Sequence, residues 1–312
     1  MNYIKIYFIG ISLIAFLFFS NCTSNLNPVS QESSTLTEPD RDTIVFSAND
    51  HQRTGWHISI HYDKNVTHRI SEGPTDTAPA WLPDKRWIYF VRSDSQQVSR
   101  IWKMRYNGEN KQPISPEIRD CRSMDISPIE ERIAFSAEVD GESHIFICDY
   151  DGSNLRQLTT GNLISATGAV NYFHPTWHWD EQSILIEYRL IDDNKSGVAN
   201  IDPNGTLIRT YPEIEDLKPS HPKWSPTSDE FVFVSNSDSL SYIYRINGNG
   251  TDLVKLTDEH SSSEPDWSFN GNRIIYVLHQ GDALNYVMSM NRDSSDKKFL
   301  IVSSAQISNP DW

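Results

Sequence analysis

Cysteine is scarce: three residues in 312, with no CxxC pair and no His/Cys run. A disulfide-stapled miniature scaffold and a zinc ribbon are excluded on that ground. Basic residues are outnumbered, 27 Lys plus Arg against 42 Asp plus Glu, for a formal charge of −15 and a pI near 5.0. That sign is wrong for a chain that must neutralise phosphates, so nucleic acid is not expected as a partner. With 14 Gly and 16 Pro the chain is too poor in both for low-complexity disorder, yet has enough to punctuate many short strands. No GxSxG elbow, GxGxxG or Walker-type loop, or HExxH pair occurs, which removes serine hydrolysis, dinucleotide or phosphate cradling, and zincin chemistry as motif-based readings.

The long apolar run is confined to the start. Residues 1–21 carry Lys5, then Ile6 to Phe19, a stretch too short to span a bilayer comfortably and of the kind found in export signals. Phe19-Ser20-Asn21-Cys22 resembles the bacterial lipobox, in which the cysteine is diacylated and becomes the new N-terminus; Asn21 stands where Gly or Ala is commoner. The expected organisation is a signal peptide over 1–21, a lipidated flexible tether over 22–40, rich in Ser, Thr, Asn and Pro, and a folded domain over 41–312. The domain is then exported and lipid-anchored in a bacterial envelope, facing the periplasm or lying at the outer membrane. Cys121 and Cys148 would lie in an oxidising space, but their places in one repeat argue against pairing.

A repeat sets the fold. Pro-x-Trp recurs with its tryptophan at 81, 177, 224, 267 and 312, and Met124-Asp125-Ile126 occupies the same place. The period averages about 46 residues, the length of one four-stranded propeller blade. After each comes a β-rich run (WIYFV, RIAFSA, SILIEY, EFVFVS, RIIYVL), a polar turn and a second run, with apolar and polar residues read as alternating at a strand period of two. The turns NGEN, DGSN, PNGT and GNGT hold residues that tolerate positive φ. Residues 42–71 contain the other three strands of a unit with no Pro-x-Trp strand before them, and Trp312 closes one with nothing after it. The expected fold is all-β: a six-bladed β-propeller of four-stranded antiparallel blades, closed by N-terminal strands pairing with the C-terminal strand.

PKWSPTSDEFVFVSN…YIYRINGNGTDLVKLTD and PDWSFNGNRIIYVL resemble the TolB-type (WD40-like) propeller repeat, with its terminal Leu-Thr at Leu158-Thr159 and Leu256-Thr257. The resemblance runs over 42–312. His178-Trp179 stands in place of Ser-Pro in the third unit, and no unit keeps the full Ser-Pro-Asp-Gly. TolB itself carries an α/β domain before its propeller, which the residues between Cys22 and Asp40 do not supply. The resemblance implies a non-enzymatic binding or scaffold module, monomeric, that recognises an envelope protein or peptide at the channel mouth.

First strands line the channel of such a fold, and three residues before each tryptophan position lie Ala78, Ser123, His174, His221, Glu264 and Asn309. His174, His178, His221, Glu264 and Asn309 are the candidate mouth residues. His174, His221 and Glu264 fall on consecutive blades and form a candidate divalent-metal set, since two imidazoles and a carboxylate suit a transition metal. That set carries the competing reading, a metal-dependent carbohydrate-active enzyme resembling oligogalacturonate lyase, which the acidic charge disfavours for an anionic polymer. Otherwise no cofactor is expected. Asp125, Asp266 and Asp311 are read as partners of backbone amides, and His57, His61 and His68 as surface residues of the closing blade.

Overall fold

A computed structural model describes residues 36, 38–49, 55–62, 66–73, 75–114, 119–160, 163–165, 168–191, 195–237, 239–258, 260–281 and 284–312. The signal peptide, Cys22 and the tether up to residue 35 lie outside them. No helix among the described residues is long and apolar enough to cross a membrane.

The strands form six four-stranded antiparallel sheets. Five are sequential, and their innermost strands are Asp76–Trp81, Cys121–Ile126, Val170–Trp177, Pro219–Trp224 and Ser261–Trp267, which begin blades one to five. The sixth runs in the order Gln306–Asp311, Ile44–Asn49, Trp56–Tyr62, Val66–Arg69. Its innermost strand thus comes from one end of the domain and the other three from the opposite end, with Val45 paired to Asp311 and Ala48 to Ile307. Circular closure leaves no free inner edge.

Six apolar clusters hold the ring, each spanning one interface between neighbouring blades. Ile145, Ile147 and Leu158 of blade two pack on Tyr172, Ile184 and Ile186 of blade three. At the closure, Ile44 and Phe46 face Ile275 and Val277 of blade five, while Val45 faces Trp81 and Ile88 of blade one. Successive residues of one strand thus enter two different cores. This corrects the expected alternation: Glu230–Ser235 is buried at every position, because a second strand is sandwiched between two neighbours and has no solvent face. The same sandwiching buries His57 and His61, which are therefore not surface residues, while His68 lies half-buried on the blade's outermost strand. Leu36, assigned to the tether, packs against the core cluster that contains Val45 and Ile58.

The repeat's small residues have specific tasks. Gly108, Gly152, Gly205 and Gly250 all have φ between +80° and +88° in the expected tight turns. A Cβ at Gly205 would lie 2.2 Å from the Leu158 carbonyl of the preceding blade, so the turn glycine is also an inter-blade contact. The terminal Thr acts within its own blade: Thr159 and Thr257 accept hydrogen bonds from the buried amides of Ile145 and Ile243 at 2.9 Å, as Ser71 does from Ile58 at 2.8 Å. A short 3-10 turn, Pro212–Leu217, joins blades three and four with Ile214 buried beneath it. Cys121 and Cys148 are buried, unpaired thiols; burial pushes Cys148 up to about 12 and Cys121 further.

Candidate functional site: the propeller channel

The innermost strands surround a cavity of about 230 Å³ lined by the residues that precede and include the tryptophan positions. In the five innermost strands that carry Pro-x-Trp the pairing register shifts at that motif, and in blade two it shifts between Cys121 and Ser123. At this bulge Ala78, His174, His221, Glu264 and Asn309 each adopt a left-handed conformation, φ +46° to +52°. All five precede proline. Ser123, which precedes Met124, does not share the conformation. A non-glycine residue there costs about 1–2 kcal/mol, and the bulge turns both the side chain and the N–H away from the regular ladder.

The diverted amides are met by the blade before. The His174 amide donates to Ser123 Oγ at 3.1 Å, that of His221 to Glu187 Oε2 at 3.0 Å, and that of Asn309 to Glu264 Oε2 at 2.5 Å. A second tier lies three residues on, about 10 Å along the strand. There the Trp177 amide donates to Asp125 Oδ2 at 2.8 Å, and the Trp81 amide to Asp311 Oδ2 at 2.5 Å across the closure. Asp266 accepts from its own neighbour, Trp267. The expectation that these aspartates serve backbone amides therefore describes the geometry.

His174 and His221 come together, with ring centroids 3.8 Å apart and planes inclined by 31°. The carboxylate beside them is Glu187, not Glu264. Glu187 lies mid-strand in Ile184–Leu190, fully buried, with Oε2 at 2.8 Å from His174 Nδ1 and Oε1 accepting from Arg189 Nε at 2.6 Å. The ligating atoms of His174, Glu187 and His221 lie within 4.8 Å of one another. Glu264 is instead engaged by Ser308 Oγ and the Asn309 amide. His178 is outside the channel: its ring sits between Asp180, 2.5 Å from Nδ1, and Asp229, 3.0 Å from Nε2, edge-on to Trp224. Sequence reasoning missed Glu187, although a carboxylate inside the apolar run SILIEY was a visible sign.

Burial, with His174 alongside, pushes His221 down to about 3, so its imidazole is neutral. Burial alone would raise Glu187, but the His174 hydrogen bond, the adjacent imidazoles and Arg189 outweigh it and hold the carboxyl at about 2. Burial raises Glu264 despite its two hydrogen bonds. In the second tier Lys223 Nζ is 2.6 Å from Asp125 and 4.0 Å from Asp266. Burial alone would lower this amine; the surrounding carboxylates Asp125, Asp266 and Asp311 reverse the shift and raise it. Asp266 is pushed well up by burial, with Asp311 adding to the rise against Lys223. The second tier is thus one ammonium among three carboxylates, of which Asp266 is pushed toward its protonated form.

Beyond it, the turns that follow each tryptophan form a rim. Pro128 and Pro226 keep the repeat's proline there, whereas Trp179 and Phe269 replace it and remain 41% and 49% exposed.

Fold and channel together define a closed six-bladed propeller with left-handed bulges in five of its six innermost strands and a cluster of charged side chains in its channel. The chain belongs to the TolB beta propeller family, whose domain description matches residues 121–312. Among curated proteins it is similar to "Protein TolB homolog" of Chlorobaculum tepidum, 26% identical over 159 residues, which are 49% of this chain. The chain spans only about a third, 34%, of that relative's length. Two solved structures share its fold. TolB from Acinetobacter baumannii has a TM-score of 0.71 at 16% identity, covering 86% of this chain and 66% of that one. The structure titled putative TolB from Agrobacterium tumefaciens has a TM-score of 0.65 at 17% identity, covering 86% and 91%.

Proposed function

We propose that this protein is a non-enzymatic, extracytoplasmic binding module, tethered through a lipid on Cys22, which takes a segment of an envelope protein at the channel mouth. The observation that carries the reading is the rim. Trp179 and Phe269 stand exposed where the repeat places proline, Trp179 held by a hydrogen bond from its Nε1 to Asp229 and Phe269 under the Arg41 guanidinium. Rigid exposed aromatics make good anchors because little conformational freedom is lost when a partner covers them. The acidic balance of the chain suits a neutral or basic partner. Family membership supports the same setting, and the N-terminal apolar run with its cysteine supports export and anchoring.

The test is capture from native envelope membranes with the full chain and with the double variant Trp179→Ala/Phe269→Ala. A partner held by the parent chain and reduced at least tenfold by the variant is the expected result, since two such anchors contribute about 1.4 kcal/mol or more together. Equal capture by both chains overturns the rim as the binding surface. Cys22→Ser tests the anchor separately: it should move the protein from the membrane fraction to the soluble one.

A further inference from the structure

We propose that His174, His221 and Glu187 form a binding site for a divalent transition metal of the zinc type in the channel, with a coordination position open to the cavity. The argument begins with the donor set. Two imidazoles and one carboxylate are borderline N/O ligands of the kind zinc takes at about 2.0–2.2 Å. Their atoms lie within 4.8 Å of one another, and tetrahedral ligation at such bond lengths separates ligand atoms by about 3.3 Å. Closing the difference takes side-chain rotation, not backbone movement. His174 has that freedom, with its side chain 24% exposed to the channel.

The backbone and the surrounding shell fix the set. Left-handed bulges at His174 and His221 aim both rings from adjacent blades to one spot, ring centroids 3.8 Å apart. His221 Nδ1 lies 3.2 Å from Ser220 Oγ, which accepts from Asn236 Nδ2 at 2.8 Å. With Nδ1–H donated to that hydroxyl, the Nε2 lone pair is left for an ion. Arg189 holds Glu187 Oε1, so Oε2 is the ligand oxygen; it accepts from the His221 amide at 3.0 Å and lies 2.8 Å from His174 Nδ1, a contact that the His174 ring gives up on turning to the ion.

A hydroxyl suffices for this amide elsewhere in the ring, although blade five also uses a carboxylate, Glu264, for the Asn309 amide. One blade earlier the neutral Ser123 hydroxyl meets the His174 amide in the role that Glu187 fills for His221. A fully buried charge in place of a hydroxyl costs desolvation, which the half-exposed Arg189 offsets only in part.

The experiment is titration of chelator-treated full-length protein with Zn2+ by calorimetry and with Co2+ by visible absorption, which reports the ligand geometry directly. One equivalent per chain is expected, with a tetrahedral or five-coordinate Co2+ spectrum. His174→Ala should weaken binding at least a hundredfold, and Ala78 at the equivalent bulge shows that alanine fits this backbone. His221→Ala and Glu187→Gln should do the same; if either fails to fold by thermal melting, His174→Ala decides. Glu264→Gln, in the same channel, should leave the affinity within about twofold. Failure of the parent chain to take up a stoichiometric ion, unchanged binding in His174→Ala, or equal loss in Glu264→Gln would overturn the site.

Discussion

Replacing Lys223 with methionine removes an ammonium that sits among three channel carboxylates while keeping most of its aliphatic stem. Its Nζ lies 2.6 Å from Asp125 and 4.0 Å from Asp266, and the side chain is 28% exposed. At an effective dielectric of about 20, a pair at such range is worth about 4 kcal/mol, and removing one member of a buried pair costs about 3–5 kcal/mol. Partial solvent access brings the expected loss to about 3 kcal/mol at pH 7. At about 2 °C per kcal/mol for a domain of this size, the melting temperature falls by about 6 °C.

The pH dependence is the sharper test. The raised pKa of Lys223 means its contribution is complete below the ordinary lysine value and is lost only in strong alkali. Asp266 is raised in the folded state, so its ionisation opposes folding above the ordinary carboxyl range, and more so without the ammonium. At low pH Asp266 is protonated folded or unfolded, so its share of the penalty disappears and the loss should be smaller at pH 3 than at pH 7. Urea unfolding at pH 3, 5 and 7 reads this directly. A penalty that is flat with pH, or below about 1 kcal/mol at pH 7, refutes the ion-cluster reasoning. Adding Asp125→Asn to the variant should recover at least half of the loss.

Two further substitutions test the architecture. Gly205→Ala forces a Cβ to within 2.2 Å of the Leu158 carbonyl, whereas Gly141→Ala, at φ +85°, meets nothing within 4 Å. Denaturant titration should show about 1 kcal/mol lost for Gly141→Ala and at least about 3 kcal/mol for Gly205→Ala, where backbone must yield; equal losses would remove the inter-blade role of the turn glycine. Ile307→Asp places a charge in the cluster of Ile44, Phe46 and Ile275 that seals the ring. It should cost at least about 4 kcal/mol and make 38–49 an early site of limited proteolysis, while retention of parental protease resistance would deny that closure holds the fold.

The sequence by itself determined the architecture. Pro-x-Trp at a period of about 46 residues, glycine in the tight turns, and two complementary partial units specify strand count, blade count and closure, because each is a local pattern repeated. The Leu-Thr ending and the turn glycine were legible as motifs, yet their tasks, capping a strand amide and touching the preceding blade, needed coordinates. The channel's chemistry was decided by tertiary structure. His174 and His221 stood out by position. Their carboxylate, Glu187, comes from a second strand, and its meeting with the rings depends on left-handed bulges and on the rotation of one blade against the next. His57 and His61 are buried for a related reason: a strand between two blades has no solvent face. Periodicity fixes where a residue lies along its strand, but the neighbouring blade, some 46 residues away in the chain, fixes what that residue faces.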